Sequence, residues 1–193
     1  MVTAPTAAQL TKRLFTVADF ERMIAAGIFA EDERLELIDG EVVTMAPIGR
    51  RHAECVWTLG RMLGRLAGEL AEVNSQNPVA LGEHGRPEPD VMLLRPPFAR
   101  YRGRLPSTED IFLLVEVADS SLVGDREEKI PRYARAGVPE TWLVDLIDDV
   151  VLVYREPSPE GYRLVRTAGR GDTIAPLAFP DWAIPLDEVL PAP

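Results

Sequence analysis

The chain has 193 residues, of which 46% are apolar and 27% are charged, and this composition excludes an intrinsically disordered chain. Lys and Arg total 21 against 31 Asp and Glu, so the net charge is −10. This charge does not fit a basic protein that coats nucleic acid, although it leaves open an enzyme that holds a metal ion with carboxylates.

The chain carries few signals for export or membrane insertion. Cys55 is the one cysteine, so no internal disulfide forms and a reducing compartment is expected. No stretch approaches the ~20 apolar residues of a spanning helix. The first residues lack an apolar segment after a basic start, which argues against a signal peptide. We therefore expect a cytoplasmic protein without membrane contact.

Taken in order, the apolar patterns predict one mixed α/β domain that opens on a β-hairpin. Helical signals occupy three segments, 16–26, 51–70 and 122–136. Strand patterns occupy eight segments, 34–38, 41–45, 78–81, 89–94, 111–118, 141–146, 150–154 and 162–167. Residues 1–13 have no periodic pattern, so we expect a flexible arm before a single domain over 14–190.

Local signals define several boundaries of these elements. Thr16 begins a capping box at the start of the first helix. Asp39-Gly40 predicts a tight turn between the first two strands. Pro131 lies inside the third helix, so a kink or a late helix start is expected there. The Pro-, Gly- and Arg-rich residues 95–110 are expected to form a loop.

Two carboxylates occupy unusual places in apolar runs. Glu116 lies within the run 111–118, which has the pattern of a central strand buried on both faces. A carboxylate there is costly unless it is paired or binds a metal. Asp90 begins the neighbouring apolar run, and carboxylates on adjacent strands can hold a hard cation such as Mg²⁺. Alternatively, Asp90 caps a turn and Glu116 pairs with an arginine.

Further candidates follow on the predicted helices. Asp125, Lys129 and Tyr133 are spaced i, i+4, i+8 and therefore share one helical face. Either Asp125 and Lys129 form a surface ion pair, or Lys129 lies beside the carboxylates and positions a water molecule. Tyr133 either packs or orients Lys129. His52, near the start of the long helix, either contacts phosphate or the surroundings of a metal, or is an ordinary helix-terminal histidine.

The loop over 95–110 concentrates positive charge. It holds Arg95, Arg100, Arg102 and Arg104 within ten residues, interleaved with Phe98 and Tyr101 and without an acid. Arginine beside aromatic rings suits phosphate contacts and base stacking. Since the loop follows the Asp90 strand, we predict that it flanks the same cleft and that Arg100 and Arg102 bind substrate. A solvated loop is the alternative.

An ordered set of short motifs extends along almost the whole chain. The motifs are RLELIDGE from Arg34, His52, PDV from Pro89, EV from Glu116, Asp125, KIPRYA from Lys129 and GVPETWLVD from Gly137. From about residue 14 to residue 190, the chain resembles the Uma family of restriction-endonuclease-like proteins, a branch of the PD-(D/E)XK nuclease superfamily.

The resemblance implies a restriction-endonuclease-like core, in which helices flank a central mixed sheet. It also implies Mg²⁺-dependent hydrolysis of phosphodiester bonds in DNA, with Mn²⁺ as a substitute. Asp90 matches the aspartate of the PD motif, and Glu116 matches the first acid of the (D/E)XK motif. Glu36 matches an additional acid from an N-terminal element. These three carboxylates are the implied metal ligands and, with Lys129, the implied catalytic residues.

The chain departs from the superfamily pattern at one catalytic position. Ala118 stands where the superfamily motif has lysine. In the Uma branch that lysine lies on the following helix, where this chain has Lys129. The chain also continues Ala-Asp-Ser-Ser after Glu116-Val117, where relatives usually have Ser-Pro, and this changes the local turn. We predict substrate-binding roles for His52 and Tyr133 beside these residues.

Three functions from different classes are open at this point. The first is a Mg²⁺-dependent DNA endonuclease, the second a catalytically inactive nucleic-acid-binding or dimeric scaffold, and the third a metal-dependent hydrolase of a small phosphoester. Asp90, Glu116 and Lys129 together favour the first, because a scaffold does not need a buried acid pair. A homodimer is also considered, with the apolar hairpin over 141–154 as a candidate sheet edge.

Overall fold

The computed structural model describes residues 11–119 and 125–192, which form a central sheet with helices on both faces. The helices are α1 (Val17–Ala25), α2 (Arg50–Ala67), α3 (Ile130–Arg135) and α4 (Leu186–Val189). The strands are β1 (Leu35–Ile38), β2 (Glu41–Thr44), β3 (Glu72–Ser75), β4 (Val91–Leu94), β5 (Ile111–Ala118), β6 (Glu140–Asp145), β7 (Val150–Ser158), β8 (Gly161–Gly169), β9 (Thr173–Ile174) and β10 (Ile184–Pro185).

The central sheet has six strands in the order β3-β4-β5-β6-β7-β8. Neighbouring strands are antiparallel except β5 and β6, which are parallel. A parallel pair requires a crossover connection, and α3 lies in that connection. The α/β class, the mixed central sheet and the N-terminal hairpin of β1 and β2 are confirmed. Among the described helices, none is long and apolar enough to cross a membrane.

The middle strand β5 separates two apolar layers. Leu113, Val115 and Val117 pack in a layer with the buried residues of α2. Leu114 packs in the other layer, with Tyr133 of α3. Side chains alternate along a strand, so Glu116 belongs to the face of Leu114, under α3. The doubly buried central strand predicted from the sequence is confirmed.

The ends of the first and third helices follow their local sequence. Thr16 Oγ1 accepts a hydrogen bond from the backbone N–H of Asp19 at 3.0 Å, as the capping box predicts. Residues Asp125–Lys129 form one π-helical turn, hereafter the π-turn, and α3 begins only at Ile130. This is the late start expected from Pro131, which lies in the first turn of α3, where its missing N–H is not needed.

One strand prediction is wrong. In the predicted strand over 78–81, Ala80 and Leu81 form only isolated bridges. The partner of β4 on that side is instead β3, which no pattern in the sequence indicated. β3 is a half-exposed edge strand of sequence EVNS, so it shows neither the alternation nor the β-branched content of a strand signal. The small pair β9 and β10 was likewise not predicted.

The hairpin over 141–154 is not a sheet edge, and that prediction is wrong. β7 pairs with β6 on one side and with β8 along its whole length on the other. The edges of the described sheet are therefore β3 and β8. Self-association itself stays a prediction, without this hairpin as its edge.

The Arg-rich loop folds around a buried acid. Arg104 Nη1 and Arg100 Nη2 lie 2.7 and 3.1 Å from the carboxylate of Asp110, whose side chain is fully buried. The backbone N–H of Ser107 donates to the same carboxylate at 3.0 Å. The hydrogen bond from Arg104, followed in importance by the Ser107 N–H, lowers the pKa of Asp110 to about 2.

We predict that Asp110→Asn lowers the free energy of unfolding by about 1–3 kcal/mol at pH 7, because the arginines lose their charged acceptor. The folded-state pKa of Asp110 lies below its ordinary value of 3.8. The stabilisation is therefore complete above pH ~4 and is lost as the pH falls toward 2. Urea unfolding of both proteins at pH 7 and pH 3 measures this, and a difference that does not shrink at pH 3 contradicts it.

Candidate functional site

An acidic cleft of about 410 Å³ opens between the N-terminal hairpin, the start of α2 and the π-turn. Six carboxylates line it, those of Glu36, Glu88, Asp90, Glu116, Asp119 and Glu128. The cationic side chains among its described lining residues are Arg34 and Lys129, and His52 also lines it. The described lining therefore carries more negative than positive charge.

Strand register brings Asp90 and Glu116 together. β4 and β5 are antiparallel with Val91 opposite Val115. Continued by one residue, this register puts Asp90 across from Glu116, on the same face of the sheet. Both residues are buried, with 8% and 2% of their surface exposed. The sheet thus joins the two acids that the sequence pattern singled out.

Asp90 is held from two sides. Its Oδ2 accepts a hydrogen bond from the backbone N–H of Val117 at 2.8 Å. The same oxygen lies 3.1 Å from Nε2 of His52, in the first turn of α2. His52 Nδ1 is buried and has no hydrogen-bond partner among the described residues. α2 therefore brings His52 to the Asp90 carboxylate.

Lys129 connects the other two acids. Its ammonium lies 3.1 Å from Oε1 of Glu36 and 3.6 Å from Oε1 of Glu116. The Glu36 carboxylate also accepts the backbone N–H of Glu88 at 2.7 Å. The side chains of Glu36 and Glu116 are only 4% and 3% exposed, so solvent screens these ion pairs weakly.

Tyr133 bonds Glu116 on the face of the sheet that α3 covers. Its hydroxyl donates a hydrogen bond to Oε1 of Glu116, and the ring is buried between α3 and the sheet. The i, i+4 spacing of Lys129 and Tyr133 thus directs both side chains to Glu116, across the junction between the π-turn and α3. The side chain of Asp125, the third residue of the predicted face, lies outside the described residues.

The structure does not bring Arg100 and Arg102 into the cleft. Neither is among the described residues that line it. Their loop connects the ends of β4 and β5 that lie away from Asp90 and Glu116. Arg100 bonds Asp110 there, and Arg102 is exposed. The expectation that this loop flanks the cleft is wrong, because β4 carries the chain away from Asp90 before the loop begins.

Four charged residues of the cleft escaped the sequence reasoning, namely Arg34, Glu88, Asp119 and Glu128. Two of them had a usable signal, because Glu88 and Asp119 lie close in sequence to Asp90 and Glu116. Glu128 had none, since it lies in no apolar run and in none of the motifs. It lies in the π-turn and lines the cleft from there.

The donor chemistry of the cleft fits a divalent cation such as Mg²⁺, which prefers carboxylate oxygens. Even so, among the described residues no three His, Cys, Asp or Glu side chains lie close enough together to hold a metal ion. The Lys129 ammonium stands beside Glu36 and Glu116 instead. In this arrangement the lysine offsets part of the negative charge of these two carboxylates.

Comparison with known proteins identifies the family. A family model named Uma2 and described as "Putative restriction endonuclease" matches residues 17–187. The chain belongs to the Uma2 family. The resemblance inferred from the motifs is thereby confirmed, and family membership supports a nuclease-like function.

A solved structure has a similar fold. It is a crystal structure described as a "putative nuclease belonging to DUF820" from Anabaena variabilis ATCC 29413, with a TM-score of 0.68. The similarity covers 91% of this Uma2 chain and 97% of the other. Sequence identity is 14%, so this likeness establishes the fold alone. No protein with a curated description matches the chain.

Cys55 lies on α2 three residues from His52, and its thiol is buried. Burial, and then the negative charge of Asp90, raise the pKa of its thiol to about 12. Alkylation by iodoacetamide at pH 8 is therefore expected to be at least ~10²-fold slower in the native protein than in urea. Mass spectrometry of the labelled protein measures both rates. Equal rates contradict the burial of this thiol.

Proposed function

We propose that this protein is a Mg²⁺-dependent endonuclease that hydrolyses phosphodiester bonds of DNA. One observation carries the proposal, namely that three buried carboxylates and a lysine converge in one cleft of a Uma2 protein. Asp90, Glu116 and Glu36 are the proposed metal ligands, and Mn²⁺ is expected to replace Mg²⁺. Lys129 completes the proposed catalytic set.

The charge of the cleft supports a metal-dependent reaction. Its described lining has six carboxylates against two cationic side chains. Two unit charges 4 Å apart interact by about 4 kcal/mol at an effective dielectric constant of 20. A phosphodiester anion would therefore be repelled from this lining unless a bound cation offset the carboxylates. We infer that the cleft accepts DNA only when a divalent ion is present.

Bound Mg²⁺ would supply two effects, a lowered pKa of a coordinated water and an offset of negative charge on the phosphate. We propose that the protein's own side chains orient the metal ligands and the attacking water. His52 and the Val117 N–H orient the Asp90 carboxylate. Tyr133 orients Glu116 from the opposite side. The ammonium of Lys129 positions the attacking water or stabilises charge that develops on the phosphate.

The proposed contacts to DNA divide between the cleft and its surroundings. His52 lines the cleft, so it is placed to contact phosphate as well as Asp90. Tyr133 is buried behind Glu116, which favours a positioning role over direct DNA contact. Arg100 and Arg102 stay predicted DNA contacts, at a distance from the scissile bond.

We predict that Mg²⁺ or Mn²⁺ supports cleavage of DNA oligonucleotides and that EDTA abolishes it. Asp90→Asn and Glu116→Gln keep the shape of each side chain but remove its charge, so each should lower the cleavage rate at least ~10²-fold. Glu140→Gln makes the same chemical change at a buried acid of β6 that lies outside the cleft and should leave cleavage intact. Gel assays of single-stranded and duplex substrates measure these rates.

Cleavage that survives in Asp90→Asn and Glu116→Gln would reject this site. The same assay distinguishes the alternative function, a catalytically inactive nucleic-acid-binding or dimeric scaffold. One observation favours that alternative, because Lys129 already pairs with two of the three proposed ligands. A scaffold of this kind would bind oligonucleotides without cutting them in any divalent ion.

Lys129→Met provides an independent test through stability. Methionine keeps the aliphatic stem but removes the ammonium beside two buried carboxylates. We expect the free energy of unfolding in metal-free buffer to fall by about 2–3 kcal/mol. Added Mg²⁺ should raise the melting temperature of this variant more than that of the wild type, because the ion no longer competes with the lysine. Melting curves without any Mg²⁺ effect on either protein would favour the scaffold.

A further inference from the structure

A second groove adjoins the cleft beside α2. It has a volume of about 380 Å³, and we call it the α2 groove. Ile48, Trp57, Arg61 and Gln76 are among the residues that line it. Ile48 also lines the acidic cleft, and the backbone N–H of Gln76 donates to the carbonyl of Asp90 at 3.1 Å. The α2 groove therefore begins where the cleft ends.

Trp57 in this groove is unusually exposed. Its exposed fraction is 71%, whereas Trp142 and Trp182 are 0% and 9% exposed. The guanidinium of Arg61, one helical turn further along, lies 5.7 Å from the centroid of the indole ring. An exposed indole beside a guanidinium gives the core no stabilisation, but it offers a flat ring and a positive charge at one place.

The exposed face of α2 is also locally positive. Arg50, Glu54, Trp57 and Arg61 follow one another at i, i+4, i+7 and i+11, so they form one stripe along the helix. Arg65 extends the exposed side toward the C-terminal end. Three arginines against one glutamate contrast with the net charge of −10 of the whole chain. This face therefore complements a polyanion, unlike the neighbouring cleft.

We propose that the α2 groove binds an unpaired stretch of the DNA substrate next to the scissile phosphate. A base stacks on the Trp57 ring, and the adjoining phosphates contact Arg61 and Arg50. Aromatic rings combined with arginine are how proteins hold single strands without reading their sequence. Inside a duplex each base face is covered by the neighbouring base pairs, whereas an unpaired base can offer its face to the ring. This inference rests on the proposed endonuclease function and adds single-strand binding to it.

Binding of fluorescein-labelled oligo(dT) with a cleavage-resistant phosphorothioate backbone tests the proposal by anisotropy, in Mg²⁺ so that a divalent ion offsets the carboxylates of the cleft. Trp57→Leu should weaken binding about 5- to 150-fold, the range for loss of one stacked base. Trp57→Tyr keeps an aromatic face and should retain most of the affinity. Ile28→Ala changes another exposed apolar side chain, outside the cleft and the groove, and it should bind as the wild type does.

Two further readouts report on stacking itself. Oligo(dT) should quench the tryptophan fluorescence of the wild type, because Trp57 is far more exposed than Trp142 and Trp182. The quenching should disappear in Trp57→Tyr. A duplex closed by a hairpin loop of non-nucleotide linker at each end exposes no base face, so Trp57→Leu should weaken duplex binding much less than single-strand binding. Arg61→Gln should weaken both and reduce the salt dependence of binding.

Several results would overturn the inference. If Trp57→Leu binds single strands as tightly as the wild type does, the inference about the α2 groove is wrong. The proposed endonuclease function still stands in that case, provided that the wild type cleaves DNA. Equal losses for duplex and single strand would exclude stacking. A change of oligomeric state in Trp57→Leu, without a change in DNA binding, would assign the ring to a protein contact. A wild type that neither binds nor cleaves DNA would overturn this inference and the proposed function together.

Discussion

The mutual repulsion of three buried carboxylates is the constraint on which the arrangement of this fold depends. Glu36, Asp90 and Glu116 line one cleft, largely out of contact with solvent. Buried charges of like sign persist only where neighbouring groups offset them. Lys129 offsets two of them, and Tyr133 donates a hydrogen bond to one of these. The donors in this cleft are therefore a requirement of stability as well as candidate parts of a reaction.

The sheet topology explains why these donors come from distant parts of the chain. β5 and β6 are parallel, so the chain must cross over the sheet between them, and the crossover carries the π-turn and α3. That crossover delivers Lys129 and Tyr133 to the face of Glu116. On the opposite face of the sheet, α2 packs against the apolar layer that contains Val115 and Val117. The first turn of α2 places His52 beside Asp90. The hairpin then closes the cleft with Glu36.

How far the sequence predicts this arrangement depends on how local each signal is. Asp90 and Glu116 were predictable because an acid in an apolar run stands out, and adjacent strands bring such acids together. The edge strand β3 and the contacts of the Arg-rich loop were not predictable from the sequence. Arg100 and Arg104 of the loop bond the buried Asp110, and burial of a single acid at a strand end leaves no periodic pattern. Trp57 did leave a signal, as an aromatic residue on the polar face of an amphipathic helix.

The most direct test of the central claim is calorimetric titration of Mn²⁺ or Mg²⁺ into the metal-free protein. If the carboxylates form a divalent-cation site, the wild type binds one ion and Glu116→Gln binds none, while Asp110→Asn binds as the wild type does. Mass spectrometry under native conditions counts the bound ions independently. Absence of binding to the wild type, or binding that Glu116→Gln leaves unchanged, would contradict the claim that these buried acids form a metal site.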